Sequence, residues 1–281
     1  MRLVFLGTPD DAVPALQALH AAGHDLALVI TQPDRRRGRG AATAPSPVRA
    51  AADALGLPVR TPERAREVVD EVRASGATLG VVVAFGQLLP EAFLDTLPGG
   101  FANVHFSLLP RWRGAAPVER AILAGDTETG VCIMRVEAGL DTGPVLAVRR
   151  TPIGPEETAG DLRARLVTIG AELLVETVPR LGELQPVPQD GEATYAEKLS
   201  VDEFRIDWSR PADEIDLVIR AGNPRPGAWT TVDGRRLKVW RAHRRDDGTI
   251  EPTEVQPEGK ARMTWDAWQR GHGGSTAALG S

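Results

Sequence analysis

The run Leu79-Gly-Val-Val-Val-Ala-Phe85, closed by Gly86, is continuous and Val-rich, as expected of a central strand in a parallel sheet covered on both faces. Upstream, residues 2–6 (RLVFL) read as a short buried strand. Residues 12–22 then place Val13, Leu16 and Leu19 at helical spacing, with Pro9 and Asp10 marking the turn between them. A strand over 26–30 and helices over 48–55 and 64–73 follow, and downstream 101–106 reads as a further strand. Strands alternating with helices imply right-handed crossovers and an α/β fold with a doubly wound parallel sheet, whose ligands bind at the carboxyl ends of the strands.

Past that point the pattern changes. Residues 131–136 and 145–150 are expected as two strands, and 160–181 as an amphipathic helix with Leu162, Leu166, Ile169, Leu173 and Leu174 inward. The first domain is placed at 1–183, a Pro- and Gly-bearing linker at 184–206, and a second, smaller β domain at 207–281. Strands are expected there over 228–232 and 237–241 around an Asp233-Gly234 turn, and the polar, Gly-rich last 30 or so residues are expected to fray at the end.

The composition narrows the function. With 281 residues, 42% hydrophobic and 25% charged, the chain is long enough for a large core and is not of disordered composition. A net charge of -5 argues against a general nucleic-acid coat protein. The single Cys132 cannot form an intramolecular disulfide and no Cys/His cluster has zinc spacing, so no metal is expected. Neither the N-terminal apolar stretch nor any later run suits a signal peptide or membrane helix, and a soluble, cytoplasmic monomer is expected. The turn at Gly7 lacks a nucleotide-binding glycine pattern and reads as a plain strand-to-helix connection.

The chemistry concentrates in Asn103-Val-His-Phe-Ser-Leu-Leu-Pro-Arg-Trp-Arg-Gly-Ala-Ala-Pro117. Positions two apart share a strand face, so Asn103, His105 and Ser107 point one way while Val104 and Phe106 pack on the other. An amide beside an imidazole can stabilise an oxyanion and move a proton near neutral pH. Asp141, between glycines in GLDTG, is either turn chemistry or a carboxylate that supports His105. Cys132 sits mid-strand and Ser107 lacks a nucleophile elbow, so an Asn/His/Asp set suits direct attack of one substrate on another.

NVHFSLLPRWRGAAP, followed by Asp141 of GLDTG, resembles the folate-dependent formyltransferases. FLGTPDDAV, TQPDRRRGRG, VVVAFGQLLP, TYAEKLSVDEFRIDW, NPRPGAW and VQPEGKARM extend the resemblance along nearly the whole chain. PRWRGAAP and the TQPDRRRGRG loop resemble the branch that acts on tRNA. The resemblance implies a Rossmann-like catalytic domain over 1–183 and an OB-like β-barrel, tRNA-binding, over 207–281. It implies transfer of the formyl group of 10-formyltetrahydrofolate to the methionine amine of initiator methionyl-tRNA. Asn103 would hold the formyl oxygen, His105 would assist proton movement, and Asp141 would orient His105 and accept a proton. Ser107, Leu108, Leu109 and Pro110, with the backbone of Phe85, Gly86, Gln87, Leu88 and Leu89, would line the folate pocket. Arg39 would reach the acceptor end of the tRNA, with Arg36 and Arg37 beside it.

Three departures from the family pattern stand out. Phe106 replaces a small residue, Arg225 replaces a Trp, and the short distance from Trp240 to the VQPEGK motif makes the barrel look abbreviated. Charge is also uneven: residues 225–245 hold seven Arg and Lys against Asp233 alone, and Arg35, Arg36, Arg37 and Arg39 fall within five residues. Such clusters favour phosphate contact, whereas Trp229 and Trp240 at strand spacing read as core. A formyltransferase acting on a small amine would need neither cluster, a non-catalytic RNA-binding relative would not need Asn103, His105 and Asp141 together, and hydrolysis would replace the amine by water.

Overall fold

The computed structural model describes residues 1–36, 43–271 and 280. Five strands form the parallel part of the main sheet or flank it early in the chain: β1 (Arg2–Gly7), β2 (Asp25–Ile30), the short ladder β3 (Arg35–Arg36) with β4 (Thr43–Ala44), and β5 (Val59–Arg60). They are followed by β6 (Leu79–Val83), β7 (Phe101–His105), β8 (Arg113–Gly114), β9 (Glu128–Arg135) and β10 (Val145–Pro152). The main sheet has the order β10-β9-β7-β6-β1-β2-β5. Pairings among β5, β2, β1, β6 and β7 are parallel, and β9 runs antiparallel to β7. The expected doubly wound sheet is therefore present, with an antiparallel edge.

The chain builds β1, β2 and β5 outward on one side, then returns to lay β6 and β7 on the other. Its switch point lies between β1 and β6, whose carboxyl ends are at Gly7 and Val83, the place where such sheets bind their ligands. Every residue of β6 is buried, which explains why its sequence runs apolar without alternation. Val4, Leu6, Ile30, Val72, Phe93 and Phe101 belong to one core cluster, in which the Phe93 and Phe101 rings lie 5.3 Å apart. Gly80 in β6 leaves room for that cluster: a Cβ there would come within 2.0 Å of the Phe101 ring.

Helices α1 (Val13–Ala21), α2 (Pro47–Ala54), α3 (Val69–Ala74) and α4 (Glu91–Leu94) connect the parallel strands. Later helices are α5 (Pro117–Leu123) and α6 (Ala159–Thr177), the latter ending before the expected residue 181. Gly170 of α6 faces β7, where a Cβ would lie 3.0 Å from Val104 and 3.3 Å from the Phe106 ring. The missing side chain at Gly170 accommodates Phe106, so the bulk at that position packs behind the strand.

The chain divides into two compact units. One comprises Met1–Arg113, Gly130–Thr151 and Ala164–Thr194, and the other Gly114–Thr129, Pro152–Arg163 and Tyr195–Ser281. This division interleaves along the sequence instead of falling at one tether. In the second unit, α5 packs on α7 (Ala212–Gly222), which draws residues 114–129 toward the C-terminal part. The stretch 184–206, expected as a linker, is split between the units: Phe204 is fully buried, and Ile206 donates to the Trp229 carbonyl at 2.8 Å.

Beyond β11 (Tyr195–Ala196), the second unit contains a four-stranded sheet of β12 (Ala228–Val232), β13 (Arg235–Arg244), β14 (Ile250–Pro257) and β15 (Met263–Thr264). Each neighbouring pair is antiparallel. Its apolar face packs Leu237, Val239 and Val255 against Ile215 and Ile219 of α7 and against Trp265 and Trp268. The sequence reading missed α7, although Ile215, Val218 and Ile219 carry helical spacing behind Asp213 and Glu214 in the first turn. It also gave the polar C-terminal stretch too little structure. Helix α8 (Trp265–Gly271) stacks its two indoles 4.8 Å apart in this core. Arg225 is exposed, so the departure there removes nothing from the core. Among the described residues no helix is long and apolar enough to cross a membrane.

Replacing Gly80 by Ala is expected to destabilise the protein by about 2 kcal/mol or more, since the Phe101 ring is held by its neighbours and cannot give way. Urea unfolding should show a lower midpoint at unchanged slope.

Candidate active site

His105 is the last residue of β7, with Asn103 on the same face and Val104 turned toward α6. After it the chain makes a compact turn. The Ser107 hydroxyl donates to the Arg111 carbonyl at 2.6 Å, and the Arg111 N–H donates to the Leu108 carbonyl at 3.0 Å. Trp112 adopts a left-handed conformation (φ 63°), with the Arg111 guanidinium 4.5 Å from its ring centre. The turn returns the Trp112 carbonyl to 2.8 Å from His105 Nε2. A carbonyl only accepts, so Nε2 carries the proton.

In the neutral ring, Nδ1 is then the free acceptor, and it faces Asp141 Oδ2 at 3.7 Å. That distance is too long for a hydrogen bond and places the carboxylate as the neighbour of Nδ1. The His105 side chain is 6% exposed and that of Asp141 18%, so solvent screens the pair only weakly. Asp141 itself has φ 50°. Because β9 pairs antiparallel with β7, the loop bearing Asp141 starts beside Phe101, at the far end of β7 from His105. It must reach back across the strand, and the left-handed backbone at Asp141 is part of that path.

The residues expected around the folate divide by what they touch. Ser107 is fully buried with its hydroxyl committed to Arg111, so it holds the turn and offers no free hydroxyl. Leu108, Leu109 and Pro110 are half-buried beside it, with a cis peptide before Pro110. The loop after β6 crosses the switch point through left-handed Ala84 (φ 46°) and Gly86 (φ 79°). The Phe85 carbonyl accepts from Thr8 Oγ1 at 3.0 Å and Gln32 Nε2 at 2.9 Å, while Gln87 Oε1 accepts from the Ala65 N–H at 2.8 Å. Leu89 packs on the core, and Leu88 is 84% exposed.

Arg37 and Arg39 lie outside the described residues, and Arg36 is placed only through the backbone of β3. The stem below them is pinned twice: Thr31 and Ser46 share a buried hydroxyl hydrogen bond of 2.6 Å, and Arg49 pairs with Asp34 at 2.7 Å. In the other unit, the second basic cluster covers aromatic rings. Arg236 lies 4.0 Å above Trp229, and Arg262 lies 3.7 Å above Trp240. Lys238 has its pKa lowered, first by burial and then by Arg236 and Arg262. Both indoles are buried under these cations, as the core reading anticipated, yet they form the base of a basic sheet face.

A formyl transferase sequence model matches residues 1–178, and one for the formyl transferase C-terminal domain matches residues 198–250. A methionyl-tRNA formyltransferase of Roseobacter denitrificans is 50% identical over 283 aligned residues, covering 93% of this chain and 92% of that protein. The chain belongs to the formyltransferase family. Two solved structures share the fold. Methionyl-tRNA formyltransferase from Clostridium thermocellum has a TM-score of 0.62 at 17% identity, over 92% of this chain and 98% of that one. An N-formyltransferase from Helicobacter canadensis, in complex with folinic acid and dTDP-3-aminofucose, has a TM-score of 0.68 at 18% identity, over 93% and 98%.

For a formyltransferase site the protein need supply no covalent nucleophile, and Cys132 behaves accordingly. It pairs with His105 across the β7–β9 ladder but is fully buried, and burial pushes its thiol up to about 11. Reasoning from sequence missed the Trp112 carbonyl, Gln189 and Thr194. The first acts through its backbone, Gln189 lies in a stretch that carries no motif, and Thr194 opens TYAEKLSVDEFRIDW, to which no site role was given.

The raised thiol pKa gives a direct expectation. Iodoacetamide at pH 8 should leave Cys132 of the folded protein unmodified for hours and label it promptly in denaturant, as read by intact mass.

Proposed function

We propose that this protein transfers the formyl group of 10-formyltetrahydrofolate to the free amino group of methionine on initiator methionyl-tRNA. The product is N-formylmethionyl-tRNA for translation initiation, and the cytoplasm is where we place the reaction. The observation that carries this reading is His105, its Nε2–H given to the Trp112 carbonyl and its Nδ1 facing Asp141, on the same strand face as Asn103. The identity to the Roseobacter protein supports the choice of acceptor.

The residues present suit the proposed donor. Among the described residues the Asn103 side chain makes no hydrogen bond, so its amide N–H is available to the formyl oxygen. As the methionine nitrogen bonds to the formyl carbon, the carbonyl pair moves onto oxygen, and an Asn103 hydrogen bond strengthens with that charge. The attacking amine becomes acidic as it bonds. His105 Nδ1 takes its proton, and the Asp141 carboxylate stabilises the resulting imidazolium. Collapse restores the carbonyl and breaks the bond to N10 of the folate, which leaves with a proton returned from the same pair.

The acceptor side rests on the two basic clusters. We assign Arg36, Arg37 and Arg39 to the acceptor end of the tRNA, and the face of Arg236, Lys238 and Arg262 to its phosphate backbone. We assign the folate to the carboxyl edge of β6 and β7, beside the turn 107–110 and the loop 85–89, with the exposed Leu88 available for apolar contact.

The deciding experiment compares formyl transfer to initiator methionyl-tRNA, elongator methionyl-tRNA and amino sugars. The initiator species should be strongly preferred, and preference for an amino sugar would contradict the assignment. Asn103→Ala and His105→Ala should each lower kcat by about a hundredfold or more with the fold retained. Arg39→Ala should raise KM for the tRNA and flatten its salt dependence, with KM for the folate unchanged.

A further inference from the structure

The stretch between the two family matches, residues 179–197, is covered by neither, and from residue 184 the sequence reads as a linker. Gln189 within it is engaged through both ends of its amide. Oε1 accepts from Arg113 Nε at 3.0 Å and from Arg113 Nη2 at 2.6 Å. Nε2 donates to the carbonyls of Asp141 and Gly143, each at 2.8 Å. Two donors and two acceptors use the full hydrogen-bonding capacity of an amide.

The partners are the two arms of the His105 arrangement. Arg113 directly follows Trp112, whose carbonyl holds Nε2, and Asp141 is the carboxylate opposite Nδ1. Five residues on, Thr194 reinforces the first arm: its hydroxyl accepts from the Trp112 N–H at 2.9 Å, and its carbonyl accepts from the Arg113 N–H at 2.9 Å. The Asp141 loop has to reach back along β7 from its far end, so its position is not set by the sheet ladder. A donor pair on its backbone carbonyls supplies that restraint.

The structure assigns Gln189 as a positioning residue that sets the spacing of Asp141 and the Trp112 carbonyl about the His105 ring. The assignment rests on the formyltransferase reading for its kinetic consequence alone. Only an amide satisfies both arms. A carboxylate would keep Arg113 but turn acceptors toward two carbonyls, and an apolar side chain of similar length would satisfy neither.

The test uses the full chain carrying Gln189→Met. Ring-nitrogen NMR of His105 at alkaline pH, assigned by loss of its signals in His105→Gln, reads the arrangement without substrate. The wild-type ring should show one protonated Nε2 and one unprotonated Nδ1, whereas Q189M should show signals averaged between tautomers. In formyl transfer, Q189M should lose about tenfold or more in kcat, with KM for folate and tRNA held within about twofold. Gln189→Glu, which keeps the Arg113 pairing, should fail to rescue kcat, and it gives the same two readouts if Q189M does not fold. Unchanged His105 signals together with unchanged kcat in either folded variant would overturn the assignment. If the wild-type protein failed to formylate methionyl-tRNA, the proposed function would fall, while the NMR comparison would still decide the role of Gln189.

Discussion

The hydrogen bond from His105 Nε2 to the Trp112 carbonyl determines what the ring can do. An imidazole free to exchange tautomers could present either nitrogen to substrate. Here a backbone carbonyl at 2.8 Å fixes the proton on Nε2 and leaves Nδ1 as the acceptor that faces Asp141. That geometry requires the turn after β7 to close tightly. The Ser107 hydroxyl on the Arg111 carbonyl and the left-handed Trp112 achieve the closure. Two of the non-glycine residues with positive φ, Trp112 and Asp141, are thus the two that face the ring. Backbone strain concentrated there is consistent with a site whose placement outweighs its local cost.

The sheet positions half of this arrangement and loops position the rest. Parallel pairing of β7 with β6 fixes Asn103 opposite Val82, close to the carboxyl ends of the strands. Asp141 gains nothing comparable from β9, whose antiparallel course carries its loop away from His105. The segment that looks like a tether therefore performs a structural task, with Gln189 and Thr194 binding the loops whose spacing matters. Residues up to Thr194 accordingly belong to the compact unit that carries His105 and Asp141.

Much of this was legible in the sequence because it obeys a period. The apolar run at β6 gave the parallel sheet, and the two-residue repeat put Asn103 and His105 on one face while Phe106 packed against α6 at Gly170. Ser107 shares the repeat with them, but its hydroxyl bonds the Arg111 carbonyl, a partner that no side-chain pattern discloses. The Trp112 carbonyl and the amide of Gln189 were illegible for the same reason, since every residue type has a carbonyl. Helix α7 was obscured by neighbouring strand-like segments, and Trp265 and Trp268 by the polar residues around them.

The central claim is that the Asp141 charge supports a proton on His105 Nδ1 during formyl transfer. Asp141→Asn preserves size and removes the charge, so a single-turnover measurement with saturating 10-formyltetrahydrofolate and initiator methionyl-tRNA isolates that effect. The transfer rate should fall by about a hundredfold or more while both substrates bind as before. A rate close to that of the wild-type protein would contradict the account.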